Sequence, residues 1–310
     1  MNTTPSSPVP DGARERALVL GGGGSTGNAW LIGVVAGLSA AGLDVASADL
    51  TVGTSAGSTA AAQLGGATPA ELYAAVLAAP DRPRTGPAAP GTAPSQDPAR
   101  VRAAADQMER TRRIMTESAD VADMRRRLGA AALDLPATSD DSVQERWRST
   151  VAARLPDQQW PHRTVLLTAV DAGTGEPVVF DRHSGVDLAD AVAASCSSGF
   201  AYRIGERQYI DGGYRANAEN ADLAAGYARV LVLSPFGGRT RTPDHWGLDL
   251  ATQVDALRAG GSRVETVFPG PDAAHMFGAN AMDYSLRPAA ARAGFDQGRA
   301  LVDQVAELWR

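Results

Sequence analysis

The sequence predicts an α/β protein built on a mostly parallel central sheet, and two patterns lead there. Short apolar runs alternate with helix-like stretches along most of the 310 residues, the order that layers helices onto a parallel sheet. The first two apolar runs also end in glycine-rich turns that each open a helix, Gly21 to Gly24 and Gly53-Thr54-Ser55-Ala56-Gly57. The carboxyl ends of parallel strands are where such sheets gather their chemistry.

Taken in order, Ala17 to Leu20 reads as a fully buried strand. After the glycine turn, Trp30, Val34, Leu38 and Ala41 recur at helical spacing, with Gly33 and Gly37 on a small face of the same helix. Leu50-Thr51-Val52 is the second strand, and Ser58 to Leu64 is a helix of small residues closed by Gly65 and Gly66. Val101 to Leu133 reads as one charged helix, and Ser142 to Leu155 as another, capped by Asp140 or Asp141. Thr164 to Val170 and Val178 to Phe180 are strands paired around the turn Asp171 to Glu176. Leu188 to Ala194 is a small-residue helix, Gln208 to Ile210 a short strand, Ala221 to Gly226 a short helix and Val230 to Leu233 another strand. Leu248 to Ala259 is helical, Arg263 to Phe268 is a strand, and Ala289 to Arg310 closes the chain as one amphipathic helix.

Residues 1–14, rich in Ser, Thr, Pro and Gly, read as a disordered tail, and 15–310 as a single domain with a Pro/Gly-rich excursion at about 80–100. Hydrophobic residues make up 44% of the chain and charged residues 21%, as in a soluble globule. The net charge is −6 and the arginines are scattered apart from Arg110 to Arg113 and Arg125 to Arg127, so the sequence carries no nucleic-acid footprint. The uncharged run Ala17 to Leu43 is broken at its middle by glycines, Ser25 and Asn28, so it reads as strand, loop and helix rather than as a signal peptide or membrane span. Cys196 is the single cysteine; it has no partner for a disulfide or a cysteine-based metal site, and the expected compartment is the cytoplasm.

Gly53-Thr54-Ser55-Ala56-Gly57 has the G-x-S-x-G form in which flanking glycines permit a strained strand-to-helix turn that presents a serine oxygen. The same five residues could also form a tight turn with a capping serine. The glycine loop adds to the catalytic reading, because residues without side chains can aim several N–H groups at one point; Gly22, Gly23 and Gly24 are the expected oxyanion donors. Gly22-x-Gly24-x-x-Gly27 also satisfies a dinucleotide fingerprint. That fold expects an acidic residue at the end of the second strand, where this chain has Gly53-Thr54-Ser55.

With Asp211-Gly212-Gly213, these motifs in this order resemble the bacterial patatin-like phospholipase family. The likeness extends to Leu18-Val19-Leu20, Ala194-Ser195-Cys196, Tyr209-Ile210-Asp211 and Asn220-Ala221-Asp222-Leu223-Ala224, and so covers the chain from about Ala17 to its end. The resemblance implies a three-layer α/β sandwich and a lipid or other acyl ester as substrate. It also implies a dyad without histidine, metal or cofactor: Ser55 as nucleophile and Asp211 as general base. Gly27, Gly53, Gly57, Gly212 and Gly213 would shape the motifs. Two departures stand out. Thr26 occupies a position next to the loop's last glycine that is usually basic in the family, where an arginine would add positive charge near the oxyanion. Ser197-Ser198-Gly199-Phe200 lacks the proline often found there, in the expected pocket wall.

Two other functions fit parts of the sequence. One is an α/β-hydrolase triad of Ser55, Asp211 and a downstream His245 or His275; the other is a catalytically weak or inactive lipid-binding scaffold of the same fold. For Val101 to Leu133 the sequence allows a solvated helix over the core or a lid or lipid-facing helix, which with the proline-rich segment before it, residues 80–130 in all, would make peripheral contact with a membrane. It specifies no oligomeric state.

Overall fold

The computed structural model describes residues 15–78 and 98–310; the tail at 1–14 and most of the Pro/Gly-rich stretch at about 80–100 lie outside the described residues. The chain runs β1 (Arg16–Leu20), α1 (Gly24–Ala40), β2 (Leu50–Gly53), α2 (Ala56–Gly66), α3 (Pro69–Ala78), α4 (Pro98–Glu117), α5 (Val121–Leu133), α6 (Pro136–Ser139) and α7 (Asp141–Ala152). It continues with β3 (Thr164–Asp171), β4 (Pro177–Phe180), α8 (Leu188–Ser195), β5 (Tyr202–Ile204), β6 (Arg207–Asp211), β7 (Arg229–Leu233), α9 (Leu250–Ala259), β8 (Arg263–Val267), α10 (Arg287–Ala300) and α11 (Val302–Trp309).

The strands form one sheet in the order β5-β6-β3-β2-β1-β7-β8, with β4 also paired to β3. From β3 through β2, β1 and β7 to β8 every pairing is parallel, whereas β4, β5 and β6 join in antiparallel fashion. Alternate residues of β1 and β7 face opposite layers, as the two-residue period of a strand requires. Leu18, Leu20, Leu231 and Leu233 pack against α1, α2, α8 and α10 on one face; Ala17, Val19, Val230 and Val232 pack against α9 and the segment around Ala221 on the other. The result is a mostly parallel sheet between two helical layers.

Helix α1 is almost wholly buried because it is covered twice, by the sheet and by α10. The second contact is a backbone-to-backbone approach through glycines. A Cβ at Gly33 would sit 2.2 Å from Ala291 O, and one at Gly294 would sit 2.4 Å from Trp30 O. This explains why Gly33 and Gly37, read as a small face, tolerate their cost in helix propensity.

Several boundaries differ from the sequence reading. The charged stretch 101–133 is two helices, because Asp120 interrupts it and caps α5, accepting the Asp123 N–H at 2.8 Å. The closing helix is likewise divided at Leu301 into α10 and α11. Helix α3 and the short strand β5 were not expected, although Thr68 and Glu71 form the reciprocal side-chain pair of a helix start, with the Thr68 hydroxyl 2.7 Å from Glu71 Oε2. Asp140 does cap α7, accepting from the N–H groups of Ser142 and Val143. Among the described residues no helix is long and apolar enough to cross a membrane.

Candidate active site

Strand β2 ends at Gly53 and α2 begins at Ala56, so the turn between them must reverse direction within two residues. Ser55 bears the strain, with φ 53° and ψ −113°. Among the described residues the only other non-glycine with positive φ is Asn220. A residue held in such a region costs on the order of 1–3 kcal/mol and persists only where its surroundings impose it. Here the Ser55 N–H donates to Ser195 Oγ at 3.0 Å, and the Ser55 carbonyl accepts from Ser58 Oγ at 2.6 Å and Cys196 Sγ at 3.1 Å. The flanking glycines are needed for space: a Cβ at Gly57 would lie 1.8 Å from Leu20 O, and one at Gly53 would lie 2.7 Å from Ser58 Cα. Ser55 itself is half-buried, at the positive end of α2.

Asp211 is the last residue of β6. Gly53 is in register with Leu167 of β3, and Asp211 with Ala169, so the ends of β2 and β6 meet beside Thr168. The Asp211 carboxyl is 7% exposed. Burial pushes its pKa up from 3.8 to about 6, opposed by hydrogen bonds from the Gly213 N–H and the Ser55 side chain and by the positive charge of Arg241. The Gly213 bond is 2.8 Å. Gly212 leaves room for this turn, since a Cβ there would meet Thr168 Oγ1 at 2.1 Å. A carboxyl in these surroundings can take a serine proton and return it near neutral pH.

One buried network joins the two motifs. Asn220, fully buried with φ 54°, donates from Nδ2 to Thr54 Oγ1 and to the Gly212 carbonyl, both at 3.0 Å. The Thr54 and Thr168 hydroxyls are 2.9 Å apart. The residue before Ser55 and the residue after Asp211 are therefore held by a single side chain. The sequence reading placed Asn220 only in a motif context and gave Ser195 no role; both act through contacts more than a hundred residues away in the chain.

The glycine loop follows β1 and lies beside Ser55, with a Cβ built on Gly22 falling 3.6 Å from Ser55 Cβ. Its donors are not equivalent. The Gly22 N–H is bonded to Ala218 O at 2.8 Å, so the expectation that Gly22 supplies an oxyanion donor is corrected to a structural role. Among the described residues the N–H groups of Gly23 and Gly24 have no hydrogen-bond partner, and Gly24, at φ 63°, opens α1. Gly27 packs on Pro235.

Position 26 does not behave as the sequence suggests. Thr26 has no exposed surface, and its hydroxyl donates to Met276 O at 2.9 Å while its N–H donates to Ala281 O at 3.0 Å. It anchors the segment that covers Gly24 and does not face an open cleft. Arg287 of α10 binds the first turn of α1, donating to Ser25 O at 2.7 Å and to Asn28 Oδ1 at 3.2 Å. Ser198 borders a small cavity of about 10 Å³, room for a single water, together with Ile210, Tyr214, Ile114, Leu128 and Arg110. All four histidines are exposed, and no hydrogen bond among the described residues joins His245 or His275 to Ser55 or Asp211. Among the described residues no group of three or more His, Cys, Asp or Glu converges as metal ligands would.

The family model described as patatin-like phospholipase matches residues 18–224, a span that contains Ser55, Asp211 and the whole glycine loop. No curated protein matches the chain. Among solved structures, VipD from Legionella pneumophila is similar at 11% identity and a TM-score of 0.42, covering 94% of this chain and 67% of that one. The type III effector protein ExoU is similar at 16% identity and a TM-score of 0.38, covering 94% of this chain and 53% of that one. The chain thus spans about half the length of ExoU, and both TM-scores are too low to add to the family match.

Proposed function

Because the chain belongs to the patatin-like phospholipase family, we propose that it is a serine lipid acyl hydrolase that cleaves carboxylic esters through a Ser55–Asp211 dyad. The observation that supports this most is the pairing of a strained, half-buried Ser55 with a buried Asp211 carboxyl whose charged form the Ser55 side chain favours. In the first half-reaction Ser55 Oγ attacks the ester carbonyl and Asp211 takes the hydroxyl proton. The oxyanion accepts from the Gly23 and Gly24 N–H groups at the positive end of α1. As the tetrahedral intermediate collapses, the acyl–oxygen bond to the leaving alcohol breaks and Asp211 returns the proton to that alcohol, leaving an acyl-enzyme on Ser55. Water then attacks the acyl carbonyl, giving its proton to Asp211, and the fatty acid leaves as Ser55 recovers its hydroxyl.

The test is hydrolysis of a p-nitrophenyl ester series and of phospholipid vesicles by the wild type, Ser55→Ala and Asp211→Asn. Each substitution should lower kcat by about three orders of magnitude or more while leaving KM nearly unchanged. Ester hydrolysis that survives Ser55→Ala, or that is lost in His245→Ala or His275→Ala with the fold intact, would refute the dyad. A wild type that binds the vesicles but turns over no ester would favour the scaffold reading.

A further inference from the structure

Glu219 lies outside the dyad, yet it sits directly behind the glycine loop. The carbonyl of the preceding Ala218 accepts the Gly22 N–H at 2.8 Å. The side chain of Glu219 passes beneath Gly21, where an added Cβ would lie 3.3 Å from its Cγ. It is fully buried. Oε1 accepts from Ser234 Oγ at 2.6 Å, and Ser234 Oγ in turn accepts the Gly238 N–H at 2.8 Å. Oε2 is buried and has no hydrogen-bond partner among the described residues.

Among the described residues packed on it, none brings a compensating charge. The glycine loop contributes Gly21, the turn after β7 contributes Ser234 and Pro235, and the segment 217–220 contributes Asn217, whose Oδ1 accepts the Glu219 N–H at 3.0 Å. The charged residues of its own segment, Arg215 and Asp222, are paired with each other at 2.8 Å. A carboxylate with one hydroxyl donor in such a place is far costlier than a neutral acid.

We propose that Glu219 is a positioning residue for the glycine loop: as a neutral acid it supports Gly21 and the turn after β7, and when ionised it displaces the Gly23 and Gly24 donors. An ionised Oε2 demands donors that the native packing lacks, and the backbone that lies against the Glu219 side chain is the glycine loop. Burial pushes the Glu219 pKa up from 4.5 to about 7, with the Ser234 hydroxyl acting the other way, which brings the transition into the working range. This inference rests on the proposed oxyanion role of the loop. It predicts an alkaline limb of activity separate from the acid limb set by Asp211.

The experiment follows the glycine amides of 15N-glycine-labelled full-length protein by NMR from pH 5 to pH 9. An Asp211→Asn background removes the neighbouring carboxyl. Gly21 to Gly24 should titrate together with a midpoint near 7 and become flat when Glu219→Gln is added. Ser234→Ala, which removes the donor favouring the ionised form, should raise the midpoint by about one pH unit in the Asp211→Asn background. It serves as the second variant if Glu219→Gln does not fold. In the dyad-intact enzyme, kcat should fall about tenfold per pH unit well above the midpoint, and Glu219→Gln should abolish that fall. Glycine amides that do not titrate, or a titration and alkaline limb indifferent to both substitutions, would overturn the proposal. Because the amide titration needs no turnover, it tells failure of this inference apart from failure of the Ser55 reading.

Discussion

Replacing Asn220 tests whether the buried network sets the geometry of the dyad. In Asn220→Ala, the Gly212 carbonyl and Thr54 Oγ1 each lose a donor at 3.0 Å in a place with no exposed surface. Those two buried hydrogen bonds, with the part-buried one that Asn220 Oδ1 accepts from Arg215 at 3.1 Å, together contribute roughly 2–3 kcal/mol, and alanine at φ 54° adds about 1 kcal/mol relative to asparagine, which tolerates the left-handed region. With an unfolding entropy of about 2.1 cal/mol/K per residue, a loss of roughly 3–4 kcal/mol lowers Tm of a chain this long by about 5–6 °C. Asn220→Gly removes the same hydrogen bonds without the backbone strain, so the two variants should differ by about 1 kcal/mol in melting and far less in activity. Activity should fall in both by about a hundredfold, all of it in kcat, as expected if Ser55 and Asp211 drift apart by roughly an ångström. Circular-dichroism melting and p-nitrophenyl ester kinetics on the same preparations provide both numbers. A lowered Tm with wild-type kcat would show that the network holds the fold but not the reacting groups.

Below pH 6, kcat/KM should fall about tenfold per pH unit, because Asp211 must be ionised to accept the serine proton. Since the folded-state pKa of Asp211 lies above its ordinary value, its contribution to stability is fully present below pH 4 and is lost as pH rises through about 6. The change of about 3 kcal/mol should be missing from the melting profile of Asp211→Asn, and an identical profile would contradict the burial argument. Gly57→Ala places a methyl 1.8 Å from Leu20 O and should destabilise the fold by more than about 4 kcal/mol; a soluble variant melting near the wild type would show that the turn can relax. Ser195→Ala removes the acceptor of the Ser55 N–H and should lower kcat by about tenfold or more with a Tm loss of only about 2 °C, as checked by kinetics and calorimetry.

The strand-and-turn framework was legible because it depends on local signals. The apolar runs at Ala17 to Leu20 and Leu50 to Val52 are buried on both faces, and Gly23, Gly24 and Gly53 after them mark positions where the backbone has no room or the wrong sign of φ for other residues. Helix ends within charged stretches were not legible: the arginine-rich pattern continues past Glu117, and only the cap made by Asp120 shows where α4 stops and α5 starts. Of the candidate site, Ser55, Asp211 and the loop stood out as motifs, but the partners that fix them did not. Ser195 and Asn220 are ordinary polar residues whose contacts with Ser55 and Thr54 span 140 and 166 positions. The commitment of the Gly22 N–H to Ala218, and the burial of Thr26 against Met276 and Ala281, depend equally on segments far away in the chain.

The central claim is that Ser55 is an activated nucleophile, and covalent capture tests it most directly. The wild type, Ser55→Ala, Ser58→Ala and Asp211→Asn are treated with a fluorophosphonate probe at pH 7 and analysed by intact mass and peptide mapping. The account predicts one adduct per chain, located on Ser55, present in Ser58→Ala, absent in Ser55→Ala and formed much more slowly in Asp211→Asn. An adduct on another residue, or no adduct on the folded wild type, would contradict it.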